Sequence, residues 1–211
     1  MHPPLNHTVR QATPADAAAV ADAIGDAFRD DPVMSWLIPD EGRRHARVPE
    51  YFQAVTDHVY LHHREVYLTE DGLGAALWLP PGATASSPPL LVGLRLAWKL
   101  FRVAGFGGLR RANTLLSVMS ANHPKGPHYY LHALGVRHGQ QGRGIGSALI
   151  RHVTDRCDRE GALAYLENSN ERNTPLYERN GFRTVGQWQA PGGGPTIWFM
   201  TRQPAGAAKQ E

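Results

Sequence analysis

Cysteine is nearly absent: Cys157 is the only one in 211 residues, so neither an intrachain disulfide framework nor a cysteine-based zinc cluster can be built. With no mark of an oxidising compartment, and with an opening MHPPLNHTVR that lacks the charged-then-apolar layout of a signal peptide, the expected location is the cytoplasm. Long apolar runs are missing too. The longest, PLLVGLRLAWKLFRVAGF, is broken by Arg95, Lys99 and Arg102, and no membrane partner is expected. Nor is there a charge imbalance that would seek nucleic acid, since 22 Lys and Arg oppose 19 Asp and Glu. The basic residues that do gather, at 95–111 and at Arg137 and Arg143, suit a small anionic ligand better than a duplex.

What the chain does have is enough apolar material for a core, 42% of its residues, and no internal repeat. One domain is expected over 1–203, with 83–127 as a helical insertion or lid and 204–211 as a frayed tail. A short strand at 7–13 leads to a helix with Thr13 as N-cap and Pro14 at its first position; apolar residues 17, 20, 21, 24, 27 and 28 make one stripe. Asp31-Pro32 stops it, and 33–44 reads as loop or a short helical turn. A second helix is expected at about 43–62, then two strands joined by the Glu70-Asp71-Gly72 turn. After the connector PPGATASSPP, residues 90–104 form an amphipathic helix with Arg95, Lys99 and Arg102 on one face and Leu94, Trp98 and Phe101 on another. From 128 onward, strand and helix alternate: strand 128–136, helix 144–160, strand 162–167, helix 173–179, and a closing hairpin of 182–189 and 196–202.

The stretch GQQGRGIGSALI, 139–150, places glycines at 142, 144 and 146 between a strand and a helix. Each costs about 1 kcal/mol against alanine inside a helix, so three at a helix start need a reason. A helix N-terminus carries unpartnered N–H groups and a partial positive charge, and glycine lets the backbone take positive φ and wrap an anion. The pattern is not a nucleotide-triphosphate loop, because no lysine follows the glycines, and G-x-G-x-G is not the dinucleotide fingerprint. A tight turn without a ligand stays open as the alternative.

VRHGQQGRGIGSALI resembles the acyl-CoA pyrophosphate loop of the GNAT N-acetyltransferase superfamily, with Gln141, Gly144 and Gly146 as its core. AYLENSNERNTPLYERNGF is similar to the following strand, loop and helix of the same superfamily, through Tyr177 and Gly181-Phe182. The resemblance covers 128–202, with FRDDP and WLIPD consistent nearer the front; HPKGPHYYL and PTIWFMTR are similar to the puromycin N-acetyltransferase-like group. It implies an α/β fold of the α+β, mixed-sheet kind: a twisted sheet of about seven strands flanked by helices, with two splayed parallel strands forming an acyl-CoA cleft. It further implies acetyl-CoA as the cofactor, bound by Leu134, Gly135, Val136, Gln141, Gly142, Arg143, Gly144, Ile145, Gly146, Ser147, Asn170, Asn173 and Tyr177. The Leu134 N–H is expected to polarise the thioester carbonyl, the amides of 141–147 to hold the pyrophosphate, and Tyr177 to protonate the leaving thiolate.

The resemblance also implies a general base on one of the two splayed strands. The strand HYYLHALGV holds no acid, and Tyr130 stands where some members carry a carboxylate. Glu167, closing the second splayed strand, is the expected base; pairing with Arg172 is its structural alternative. His132 shares the strand parity of Tyr130 and Leu134 and is a further catalytic candidate. No metal is expected: His58 and His62 have i, i+4 spacing but no third ligand in pattern. Cys157 falls on the stripe Ile145, Leu149, Val153 and reads as a buried small hydrophobe. The function expected is acetyl transfer from acetyl-CoA to a primary amine of a small molecule, by direct attack in a ternary complex, in a monomer or homodimer. Acetylation of a protein or peptide, and a non-catalytic acyl-CoA sensor, are the alternatives.

Overall fold

The computed structural model describes residues 7–83 and 90–206, without the side chains of 90–104. Seven strands form one mixed sheet in the order β1-β2-β3-β4-β5-β7-β6, where β1 is Val9–Gln11, β2 Val66–Thr69, β3 Gly74–Leu79, β4 His128–Val136, β5 Leu163–Asn168, β6 Arg183–Gln189 and β7 Thr196–Arg202. Neighbours are antiparallel except β4 and β5, which run parallel. Strands β2 and β3 are buried along their whole length, because helices cover both faces of the sheet.

Two apolar clusters lie on the two faces. One joins Val20 and Ile24 of helix α1 (Ala17–Phe28) and Val48 and Phe52 of α3 (Glu41–Val55) to Leu77, Ala133, Tyr165 and Phe199. The other joins Leu149, Val153 and Cys157 of α5 (Ile145–Glu160) to Trp78, Leu131, Leu166 and Met200. Each fully buried Leu, Ile or Val contributes about 1.5–3 kcal/mol. Cys157 has no solvent exposure, and burial pushes its thiol up to about 12, so it packs as a hydrophobe.

The helices depart from the sequence reading at places with identifiable causes. Pro14–Asp16 forms a 3-10 turn before α1, held by a reciprocal Thr13–Asp16 capping box. At the other end Asp31-Pro32 stops α1 and also starts the next helix: Asp31 caps α2 (Pro32–Leu37), accepting from Val33 N at 2.8 Å, with Pro32 at the first position where no N–H is required. The helix expected at 43–62 begins at Glu41 and carries Pro49 inside it. It relaxes into a π turn at Thr56–Tyr60 and a 3-10 turn at Leu61–His63, and Arg64 at φ 58 ends it. The insertion holds α4 (Leu90–Asn122), two helical stretches meeting at Gly105, φ 67. The faces expected from Arg95, Lys99, Arg102 and from Leu94, Trp98, Phe101 lie outside the described residues, as do 84–89 of the connector and 207–211 of the tail. A short α6 (Thr174–Arg179) precedes β6.

Candidate active site

Strands β4 and β5 pair only from His128–Leu163 to Leu131–Leu166, although β4 continues to Val136 and β5 to Asn168. On its other side β4 stays paired with β3 as far as Val136. The separation begins where the β3–β4 register breaks: Leu77 faces Ala133 and Trp78 faces Leu131, so His132 is an extra residue, a bulge that bends β4 away from β5. The bulge also changes which side chains share a face. Tyr130 and Ala133 belong to the α1–α3 cluster, whereas Leu131 and Leu134 pack on the α5 side. The expected common parity of Tyr130, His132 and Leu134 is therefore corrected, because one added residue reverses strand alternation beyond it. His132 remains on the Tyr130 side, stacked on Tyr60 with ring centroids 5.0 Å apart.

Past the splay lies a cleft of about 790 Å³ that runs from the N-terminus of α5 to Glu167. Gly142 and Gly144 have φ of 77° and 89°; an added Cβ would meet nothing within 4 Å at either, so backbone conformation and not space requires glycine there. Gly146 differs. It is helical, and a Cβ would sit 3.2 Å from Leu176 Cδ2, so it lets α5 approach α6 closely. No side chain caps α5, and the first hydrogen bond of its ladder is Ala148 N to Gly144 O, 2.9 Å. The N–H groups of Ile145, Gly146 and Ser147 thus have no helical acceptor and open on the cleft. Gln141 ties this loop to the strand, its Nε2 donating to Val136 O at 3.1 Å.

Leu134, Val136, Asn170, Asn173 and Tyr177 line the same cleft, together with Arg172 and Arg179. Such a cradle of bare amides, positive-φ glycines and two guanidinium groups fits the diphosphate of a coenzyme A. Gly135 and Arg143 stand apart from the lining. A Cβ on Gly135 would lie 2.6 Å from Ile24 Cα, so this glycine seats α1 on β4; Arg143 donates to Gln140, and its carbonyl accepts from His7.

A second, apolar cavity of about 150 Å³ meets the cleft at Phe28, Asp31, His132, Glu167 and Ser169, which line both. Glu167 has a side chain only 5% exposed, and among the described residues its Oε1 has no hydrogen bond of good geometry. Within 4 Å it meets His123 Nδ1, at 3.5 Å, and among the described residues it forms no ion pair with Arg172. Phenols surround it: burial, then the charge of Glu167, raises Tyr130 far above the usual range and raises Tyr165 as well. Burial lowers His132 to about 4, so it is neutral at pH 7. Asp31 goes the other way, raised by burial while it accepts from Ser169 Oγ at 2.5 Å. Tyr177, across the cleft, is raised by burial and then by the charge of Asp31, so it keeps its proton at neutral pH. Among the described residues no group of three His, Cys, Asp or Glu could hold a metal.

Asp31, Ser169, His123, Arg172 and Arg179 were not marked as site residues by the sequence. Asp31 was visible as a helix stop, and the same Asp-Pro pair signals a helix start whose cap faces inward. His123 follows α4 and approaches Glu167 without lining the cleft, whereas Ser169, Arg172 and Arg179 line it from the loop and short helix after β5.

The model of the acetyltransferase (GNAT) family matches residues 33–182. An uncharacterized N-acetyltransferase of Schizosaccharomyces pombe is 30% identical over 178 residues, 79% of this chain and 70% of that protein. Among solved structures, the Corynebacterium glutamicum protein described as histone acetyltransferase HPA2 and related acetyltransferase is 26% identical, with a TM-score of 0.70 over 95% of this chain and 98% of that one. Arylalkylamine N-acetyltransferase 2 of Aedes aegypti shares the fold at 12% identity, TM-score 0.66, over 94% of this chain and 99% of that one.

Proposed function

Because the chain belongs to the GNAT acetyltransferase family, we propose that it transfers the acetyl group of acetyl-CoA to the primary amine of a small molecule, by direct attack in a ternary complex. One observation carries this reading: an apolar cavity opens into the coenzyme-sized cleft at a buried carboxylate, Glu167, which lines both. The Aedes aegypti neighbour is named for a small amine acceptor, which supports the same class here.

Acetyl-CoA supplies an acyl group activated as a thioester. This chain binds the diphosphate through the amides of Ile145, Gly146 and Ser147, while the Leu134 N–H, on the freed edge of β4, polarises the acyl carbonyl. An amine arrives protonated and must lose a proton to attack. Glu167, the carboxylate on β5 that lines both the cleft and the cavity, takes it. Tyr177, held in its phenol form on the other wall, donates its proton to the departing sulfur.

A thiol-release assay of acetyl-CoA against a panel of primary amines tests the reading. Amine-dependent release is expected, and Glu167→Gln is expected to lower kcat/KM by about 10²–10⁴-fold with the acetyl-CoA Kd kept. Binding of acetyl-CoA with no amine-dependent release would identify a sensor instead, and turnover confined to peptides would make the acceptor a protein.

A further inference from the structure

Building on the transferase reading above, we infer that the acceptor is a monoamine with a compact apolar body, and that polyamines and other dications are excluded. The cavity has a charged mouth and an uncharged far end. Its two carboxylates, Asp31 and Glu167, are both among the residues shared with the cleft, whereas the residues that line the cavity alone carry no charge and, apart from the Tyr51 phenol, are apolar, Val33, Leu37, Ile38, Val48 and Phe52 among them. Helix α2 runs from one end to the other: Asp31 caps it at the mouth, and Leu37 closes it six residues on, about 9 Å along the axis.

Cations stand behind that far end. The Leu37 carbonyl accepts from Arg111 Nη2 at 3.1 Å, and the Ile38 carbonyl accepts from Arg44 Nη1 at 3.0 Å, with Arg44 itself only 7% exposed. A second ammonium or a guanidinium carried to this end would meet no carboxylate, only the Tyr51 hydroxyl, and would face the Arg111 guanidinium and that of Arg44, which Asp30 pairs at 3.6 Å. An apolar group meets a wall of Val, Leu, Ile and Phe, in a volume that holds roughly one benzene ring. The insertion shapes this selectivity. The second half of α4 lines the cavity with Ala112, Leu115, Leu116 and Met119, which accounts for Leu116, a leucine 60% exposed at its rim.

The test compares kcat/KM by thiol release for benzylamine and pentylamine against putrescine, agmatine and spermidine, in the wild type and in Leu116→Glu. The apolar monoamines are expected to lead the dications by at least about 100-fold. Leu116→Glu, at an exposed position about 10 Å along α4 from the His123 end, places an acceptor beside the second charge and is expected to narrow that ratio at least about tenfold. Wild-type turnover of putrescine or agmatine equal to that of the monoamines overturns the inference and leaves the transferase reading standing. So does an unchanged ratio in a Leu116→Glu protein whose Tm matches the wild type. No thiol release with any amine overturns both.

Discussion

We propose opposite proton duties for two side chains that line the cleft, Glu167 and Tyr177, and their surroundings favour that division. Glu167 lies on β5 with its carboxylate buried where the cavity opens into the cleft, within reach of an amine seated there. Tyr177 lies on α6, where burial and the nearby charge of Asp31 both favour the phenol over the phenolate. Replacing Tyr177 by Phe removes the donor while keeping the ring that packs edge-on to Phe182 at 6.1 Å. The expected outcome is a fall in kcat of about 10²-fold or more, with the acetyl-CoA Kd from titration calorimetry within about twofold of wild type. A kcat equal to wild type removes Tyr177 from proton transfer. Both residues were named in the sequence through its resemblance to a family, and the fold places both along the cleft. Asp31 was not, since its side chain reaches the site only through the packing of α2.

At the scale of single elements, the three glycines before and within α5 answer to different constraints, and this separates their expected phenotypes. Gly144→Val forces a β-branched residue to φ 89°, at the cap that presents the free amides. It is expected to weaken acetyl-CoA binding at least about tenfold, measured by calorimetry. Gly146→Ala acts through its neighbour, since the new methyl presses on Leu176. Weakened acetyl-CoA binding is expected here too, with recovery in the double variant Gly146→Ala/Leu176→Ala, whereas Leu176→Ala does not rescue Gly144→Val. Strand β4 makes the same point in another way. Its alternation reads cleanly from the sequence, yet the bulge at His132 turns Leu134 to the opposite face. No residue type announced it; the bulge exists because β3 on one side and α1 and α5 on the two faces must all be satisfied at once.

Across the whole molecule, burying a histidine links stability to pH. His132, lowered to about 4, stays neutral in the folded chain down to that pH, while in the unfolded chain it charges below about 6.5. The unfolded state therefore binds more protons in this window, so stability is complete above about 6.5 and is lost as pH falls toward about 4. Asp31, raised by burial, works in the opposite sense, so the informative quantity is a difference between proteins. Between pH 7 and pH 5 the wild type is expected to lose roughly 2 kcal/mol more unfolding free energy than His132→Gln, measured with urea. Equal losses in the two proteins would mean that His132 is protonated as readily in the folded chain as in the unfolded one.

The sequence by itself determined the α/β alternation, the stripes of α1 and α5 and the glycine loop, which depend on spacing within about twenty residues, governed directly by periodicity, capping and turn chemistry. Gln141, Tyr177 and Glu167 were named through the resemblance to a family, and the fold sets all three along one cleft. Only the tertiary structure decided that β4 and β5 part after Leu131, that Asp31 and Ser169 stand beside Glu167, and that α4 walls an apolar cavity backed by Arg44 and Arg111. These relations join segments distant in sequence. They are set by how helices and strands share one limited core, where no local preference marks which side chains will meet.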